Sequence, residues 1–144
     1  MSKKCVRLDR KKGLYLKDTE VKGRGLFCVD DIKAGETLEV TPALILNEAA
    51  TIHIDKTMLE NYTFVTGKVS KRIRDRKRIK KTGDCSSLVM GIASFCNQDD
   101  APNAEVLWEE KNGTLYNILS ATRRIPRNTE ICTSYGKGWF DDRD

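Results

Sequence analysis

Three short stretches of the chain gather residues suited to binding and orienting another molecule: "KGRGLF" at 22–27, "NQDDAPN" at 97–103 and "EICTSYG" at 130–136. In the first, Gly23 and Gly25 allow positive φ and let another molecule approach the backbone closely. The second sets amides, two acids and a proline directly after the apolar run "SSLVMGIASF". Hydrogen-bonding capacity at the end of a core segment must find partners, because a buried polar group left without one costs on the order of kilocalories. The third closes an expected strand with Ser134, Tyr135 and Gly136. Metal and nucleophile patterns do not compete with these stretches. Cys5, Cys28, Cys85, Cys96 and Cys132 are odd in number and never two or three apart, so they read as reduced, mostly buried small hydrophobes, with no metal site expected. His53 is the only histidine and has no nucleophile or ligand partner near it in sequence, so no chemistry is assigned to it.

The elements that must hold these stretches are short. Residues 14–16 and 26–29 read as strands, the second directly after the glycine pair. A turn at Ala34 and Gly35 leads to a third strand, 37–41, which Pro42 is expected to interrupt or to place at a sheet edge, with 44–46 resuming it. Between 47 and 67 the spacing of Met58, Leu59, Tyr62 and Val65 predicts weak helix. The apolar run after Gly83 is too short for periodicity to separate strand from helix. Asn112-Gly113 between two β-prone runs predicts a hairpin joining 105–109 to 114–121, and the last strand is expected over 130–135. An internal echo pairs 30–38 with 123–131, setting Gly35 over Asn128, two residues that tolerate positive φ, and each copy reads as a strand, turn, strand corner. Many short strands and little helix predict a mostly β domain of several small sheets.

With 144 residues, 39% hydrophobic and 33% charged, the chain is expected to be one globular domain without a membrane span or a signal peptide, and to reside inside a cell, in nucleus or cytoplasm. Its net charge of +5 is uneven. Nine of the 26 Lys and Arg residues lie in "KVSKRIRDRKRIKK" at 68–81, beside a single acid. Val69, Ile73 and Ile79 look too few there to cover a core, so the run is expected to be an exposed helix or a mobile loop and the place for an anionic partner such as nucleic acid, or a nuclear import signal.

The order and spacing of the three stretches resemble the SET-domain protein lysine methyltransferases. Gly23-Arg24-Gly25 stands near the start. "FCNQDDAPN" stands where the family has Phe-Ile-Asn-His-Ser, about three residues, then Pro-Asn. "TEICTSYG" stands where it has Gly-Glu-Glu-Leu, two residues, then Asp-Tyr-Gly. The match covers nearly the whole chain. It implies one SET domain over 1–144 with a variable, partly helical insert at about 47–83, and a β-clip fold whose C-terminal segment forms a pseudoknot, an exception to the rule that chains avoid knots. By the same resemblance, Asn97 meets the methyl donor S-adenosylmethionine where its segment crosses the final strand.

The resemblance further implies that Lys22, Gly23, Arg24 and Gly25 contact the methionine end of the donor, and that Asn97, Gln98, Tyr135 and Trp139 also belong to the donor's site. Tyr135 takes the catalytic position, Thr133 faces the lysine channel, and Tyr62 belongs to the peptide groove. Alternation predicts Ile131, Thr133 and Tyr135 on one face, with Cys132 and Ser134 on the other. Thr133 stands where many relatives have a Phe or Tyr that limits methylation, which predicts di- or trimethylation. Gln98 replaces the family's histidine, and Ser134 its frequent aspartate. No cysteine follows Cys132 among the 144 residues, so a zinc cluster after the motif tyrosine is not expected, and Trp139 with Phe140 is the expected lid. The implied substrate is a lysine of a protein, histone favoured, with a ribosomal or other basic protein close behind. Two further readings stay open: a non-catalytic SET module binding chromatin or nucleic acid through 68–81, and a β-rich adaptor. The short closing segment also leaves room for a homodimer in which a partner completes the groove.

Overall fold

The computed structural model describes residues 6–66, 68–80, 83 and 85–134. Strands β1 (Asp9–Arg10), β2 (Leu14–Thr19) and β3 (Gly23–Cys28) precede the long β4 (Thr37–Leu46). Helix α1 (Glu48–Ile54), a 3-10 turn at Met58–Tyr62, β5 (Thr63–Thr66) and helix α2 (Lys71–Lys77) follow. Then come β6 (Cys85–Val89), a 3-10 turn at Ile92–Phe95, β7 (Asn97–Gln98), β8 (Ala104–Lys111), β9 (Thr114–Ala121) and β10 (Cys132–Thr133). The main sheet runs β5-β6-β4-β9-β8, with β1 also on β4; β2 pairs with β3, and β7 with β10. This is the mostly β arrangement of small sheets that the pattern of short strands predicts. Among the described residues no helix is long and apolar enough to cross a membrane.

β4 is continuous, against the expectation for Pro42. Its register runs through Pro42↔Tyr116 on β9, while on the other side pairing with β6 begins only at Ala43↔Val89. The Pro42 carbonyl accepts the Met90 N–H at 3.1 Å just beyond the end of β6. The proline nitrogen faces that same side, so no ladder bond is lost and a central strand tolerates it. Thr41, Ala43 and Ile45 alternate into the core, where Leu115 and Leu119 of β9 also lie.

The weak helical pattern of 47–67 resolves into three elements. Asn47 caps α1, its Oδ1 accepting the Ala50 N–H at 2.8 Å. Met58 and Leu59, which suggested a longer helix, are exposed, and Thr63–Thr66 pairs with β6, where its β-branched residues belong. The basic run takes the exposed-helix alternative, as α2, but its apolar residues do more than expected. Val69, Ile73 and Ile79 are 6%, 1% and 7% exposed, so they join an existing core rather than having to make one. Ser70 accepts the Ile73 N–H at the start of α2, and Arg78 ends it in the left-handed conformation at φ 57°.

The hairpin forms as predicted: Asn112 and Gly113 both have positive φ, 53° and 77°, as a two-residue type I′ turn requires. The echoed corners also hold, with Gly35 at φ 81° and Asn128 at φ 57°. They dock on each other, since Ile32 and Ile125 exchange backbone hydrogen bonds of 2.9 Å in both directions and both are buried. Asp31 seals this junction. It accepts the Arg127 N–H at 2.8 Å and pairs with Arg124 at 3.2 Å, and these contacts, the backbone bond first, hold its carboxyl below the usual range. Glu36 is lowered likewise, by its bond to Lys11 at 2.6 Å and then by the Lys33 N–H. Carboxyls lowered by folding add stability above their unfolded pKa of about 4 and lose it as pH falls through the folded value. The melting temperature should therefore hold near neutrality and fall below about pH 4. Asp31→Asn should flatten part of that acid limb in scanning calorimetry; an unchanged limb would remove Asp31 from the account.

Candidate functional site

The polar segment after the apolar run meets the end of the chain's described part. β7 and β10 are parallel, with Cys132 opposite Asn97 and Thr133 opposite Gln98. Beyond β7 the segment stays attached: the Asp99 N–H donates to the Thr133 carbonyl at 3.0 Å, and the Asn103 N–H to the Cys132 carbonyl at 3.2 Å. Asn103 adds its side chain, accepting the Cys132 N–H and donating to the Glu130 carbonyl, both at 2.9 Å. Ile131 donates to the Leu26 carbonyl at 2.8 Å, which brings β3 to the same place. The hydrogen-bonding capacity of 97–103 is thus spent on a meeting of segments that are distant in sequence.

At the crossing, the glycine pair has two distinct roles. Gly23 has φ 73°, and a Cβ added there would meet nothing within 4 Å, so the residue supplies a turn and an open face. Gly25 supplies closeness. A Cβ there would lie 2.5 Å from Glu130 Oε2 and 3.2 Å from Asn97 Nδ2. Asn97 donates to the Glu130 carboxylate at 2.7 Å and to the Arg24 carbonyl at 3.2 Å. Lys22 Nζ donates to the Gln98 carbonyl at 3.1 Å and pairs with Asp99 at 3.4 Å. Asp99 is held below the usual carboxylate range, first by the Ala101 N–H and then by the charge of Lys22.

A small cavity, ≈ 330 Å³ including its mouth, borders β7 and β10. Its lining includes Tyr62 and Phe64 from the insert, Cys96 and Gln98 around β7, and Thr133 and Ser134 at the chain's described end. Alternation predicts Thr133 and Ser134 on opposite faces, yet both line the cavity; the regular strand ends at Thr133, so its two-residue period no longer governs Ser134. The cavity wall is braced by aromatic contacts. Tyr62 meets Phe95 edge-on at 6.2 Å, the Arg24 guanidinium lies 5.6 Å over Phe95, and Phe64 meets Trp108 at 5.9 Å. Burial first, and then the charge of Glu130, push the Cys132 thiol up to about 11, and burial raises Cys96 further. Both are protonated at neutral pH and serve as packing groups rather than nucleophiles.

The structure brings together Lys22, Gly23, Arg24, Gly25, Asn97 and Gln98 at the crossing, with Thr133 and Tyr62 at the adjoining cavity. Tyr135, Trp139 and Phe140 lie outside the described residues. Three residues given no role by sequence reasoning prove central. Glu130 and Asn103 stand within the quoted motifs, and the amide after Pro102 was a signal available in the sequence. Glu39 carried none. It is 3% exposed on β4, pairs with Arg10 at 2.6 Å, and accepts the Ile92 N–H at 2.7 Å, capping the 3-10 turn that delivers Phe95. Among the described residues no cluster of His, Cys, Asp and Glu is placed to hold a metal ion.

Comparison with known proteins agrees with this geometry. A family model described as SET domain matches residues 23–136. The chain is 33% identical over 131 residues to a Schizosaccharomyces pombe protein, the histone-lysine N-methyltransferase specific for H3 lysine 37, covering 90% of this chain and 78% of that one. A Plasmodium falciparum protein assigned as a histone methyltransferase superposes with a TM-score of 0.63 at 23% identity, covering 90% of this chain and 98% of the other. The Neurospora SET domain protein DIM-5, a histone lysine methyltransferase, gives a TM-score of 0.64 at 18% identity over 86% of this chain and 52% of its own. These last two show a shared fold, and with the family match and the yeast relative they establish that the chain belongs to the SET-domain family of protein lysine methyltransferases.

Proposed function

We propose that the chain transfers methyl groups from S-adenosylmethionine to a lysine side chain of a histone, at the crossing of β3, β7 and β10. The observation that carries this reading is that β7 and β10 take part both in the crossing with the glycine-edged β3 and in the lining of a small cavity that also holds Tyr62 and Phe64. The residues around the crossing fit the donor. Gly23 leaves room over the backbone, while Lys22 and the Asn97 amide offer polar groups at the same edge as the carbonyls of Arg24 and Gln98. This chemistry suits the ammonium and carboxylate of a methionine end. When bound, the donor supplies an electrophilic methyl on a sulfonium.

The chain's own residues then have to orient and desolvate. The attacking amine must be neutral, although a free lysine has a pKa near 10.4, and a dry aromatic channel disfavours its charged form. Tyr62 and Phe64 supply apolar walls, and the alignment of the two reacting groups supplies most of the rate. We assign Tyr135 the catalytic position. Histone H3 is the favoured substrate because the yeast relative acts on it.

The test is incubation of the full chain with donor and a panel of histones, nucleosomes and ribosomal proteins, read by mass spectrometry. Methylated lysine on a histone is expected, with Tyr135→Phe slower by about two orders of magnitude or more; transfer by the variant at the wild-type rate would overturn that assignment. Thr133 carries a second expectation. It is 6% exposed and smaller than the aromatic side chains found there in many relatives, so wild type should add two or three methyls, and Thr133→Phe should stop at one. An intact mass showing a single methyl for wild type under excess donor would contradict it.

A further inference from the structure

We propose that the outward face of α2, with the residues that flank it, is a docking ridge for the phosphate backbone of duplex nucleic acid. Its inner side is fixed. Val69, Ile73 and Ile79 are buried in the core, so every turn of the segment is anchored and the basic side chains cannot turn inward. Lys68, Lys71, Arg72, Arg76, Lys77 and Lys80 are all exposed. The only acid within the segment, Asp75, is exposed and pairs with Lys71 at 2.9 Å.

Both ends of the ridge are tied to the rest of the fold. At its start Ser70 bonds the Glu110 carboxylate near the end of β8, and Arg72 and Arg76 lie against Gly113 at the hairpin tip. At its end the Asn47 amide donates to the Lys77 carbonyl at 3.2 Å, and the Lys80 N–H donates to Glu48 at 3.2 Å. The result is a preset array of positive charge rather than a floppy tail, so little ordering entropy opposes a multivalent contact.

The composition of the face selects the partner. Its three large apolar residues are turned inward, so the ridge offers no hydrophobic anchor of the kind that gives peptide interfaces their affinity. What remains is charge without pockets, which matches the regular, sequence-independent charge of a phosphodiester backbone. The same charge would repel a basic protein tail. The ridge therefore does not recognise a basic substrate segment; it holds a polyanion. This inference is independent of methyl transfer.

The experiment is fluorescence anisotropy of the full chain with a mixed-sequence DNA duplex, the equivalent RNA duplex, and polyglutamate, over a salt series. Binding to both duplexes is expected, with a log–log salt slope of about −5 for the ridge's cations, and polyglutamate should bind far more weakly. The triple variant Arg72→Gln, Arg76→Gln, Lys77→Gln should lose affinity about tenfold or more and lower the slope by about 3. A variant with the same loss of charge on other surfaces, Lys12→Gln, Lys33→Gln, Lys56→Gln, should change affinity less than about threefold. Equal losses in the two variants would reduce the effect to net charge and overturn the ridge. Polyglutamate binding as tight as duplex would assign the ridge to an acidic protein and overturn the proposal as well. Circular dichroism melts of both variants exclude unfolding, and histone peptide methylation, unchanged in the ridge variant, separates this result from failure of the enzymatic reading.

Discussion

Asn103→Ala is expected to destabilise the protein by roughly 2–5 kcal/mol and to abolish donor binding with it. The side chain is 8% exposed, and its amide stands in for a missing strand. Its oxygen accepts the Cys132 N–H and its nitrogen donates to the Glu130 carbonyl, one on each side of Ile131. Ile131 is itself fully buried and bound to Leu26, so these backbone groups have little access to water. Truncation would strand one donor and one acceptor, each costing about 1–3 kcal/mol when left unsatisfied. Asn103→Asp keeps the acceptor for Cys132 but sets a carboxylate against the Glu130 carbonyl, so it should be no better than alanine. Urea unfolding of the three proteins gives the measurement. A loss below about 0.5 kcal/mol for alanine, the range of an ordinary surface substitution, would mean that the crossing is not held by this residue.

Gly91→Ala should be comparably severe, about 3–5 kcal/mol, for a different reason. A Cβ at Gly91 would sit 2.0 Å from Glu39 Oε1 and 2.8 Å from Thr41 Cγ2. The Glu39 carboxylate has no room to retreat, because it is buried while pairing with Arg10 and capping Ile92. Moving it uncaps the turn Ile92–Phe95, and Phe95 carries the contacts to Arg24 and Tyr62. The loss should therefore appear both in thermal stability and in the cavity. Glu39→Gln in the Gly91→Ala background should recover none of it, since the amide fills the same volume. A stable Gly91→Ala protein with unchanged melting would show that this buried carboxylate does not organise the wall.

How much of this was legible beforehand depended on whether the signal was local. The Asn112-Gly113 hairpin and the Gly35 and Asn128 corners were readable because a required positive φ leaves a mark on residue type. The three motif stretches were readable by order and spacing. Pro42 misled because its effect depends on which neighbour its nitrogen faces, a property of sheet order rather than of the strand. The basic run was readable as an exposed helix but its anchoring was not, because three apolar residues are too few to build a core yet enough to join one built by other segments. Glu39 left no trace at all, since a carboxylate on a β-prone segment reads as surface until Ile92 arrives, with Gly91 before it, from 53 residues away in the chain.

The claim on which the rest depends is that the pairing of β7 with β10 forms the donor site beside the cavity. Calorimetric titration of S-adenosylmethionine into wild type and Asn97→Ala tests it most directly, with circular dichroism confirming that the variant is folded. Asn97 reaches both the Arg24 carbonyl and Glu130 from β7, so its truncation disturbs the binding edge without touching the Asn103 braces. Saturable binding to wild type at one site, weakened about tenfold or more in the folded variant, is the predicted result. Wild-type binding that is absent, or identical in the two proteins, would contradict the placement of the donor at this crossing.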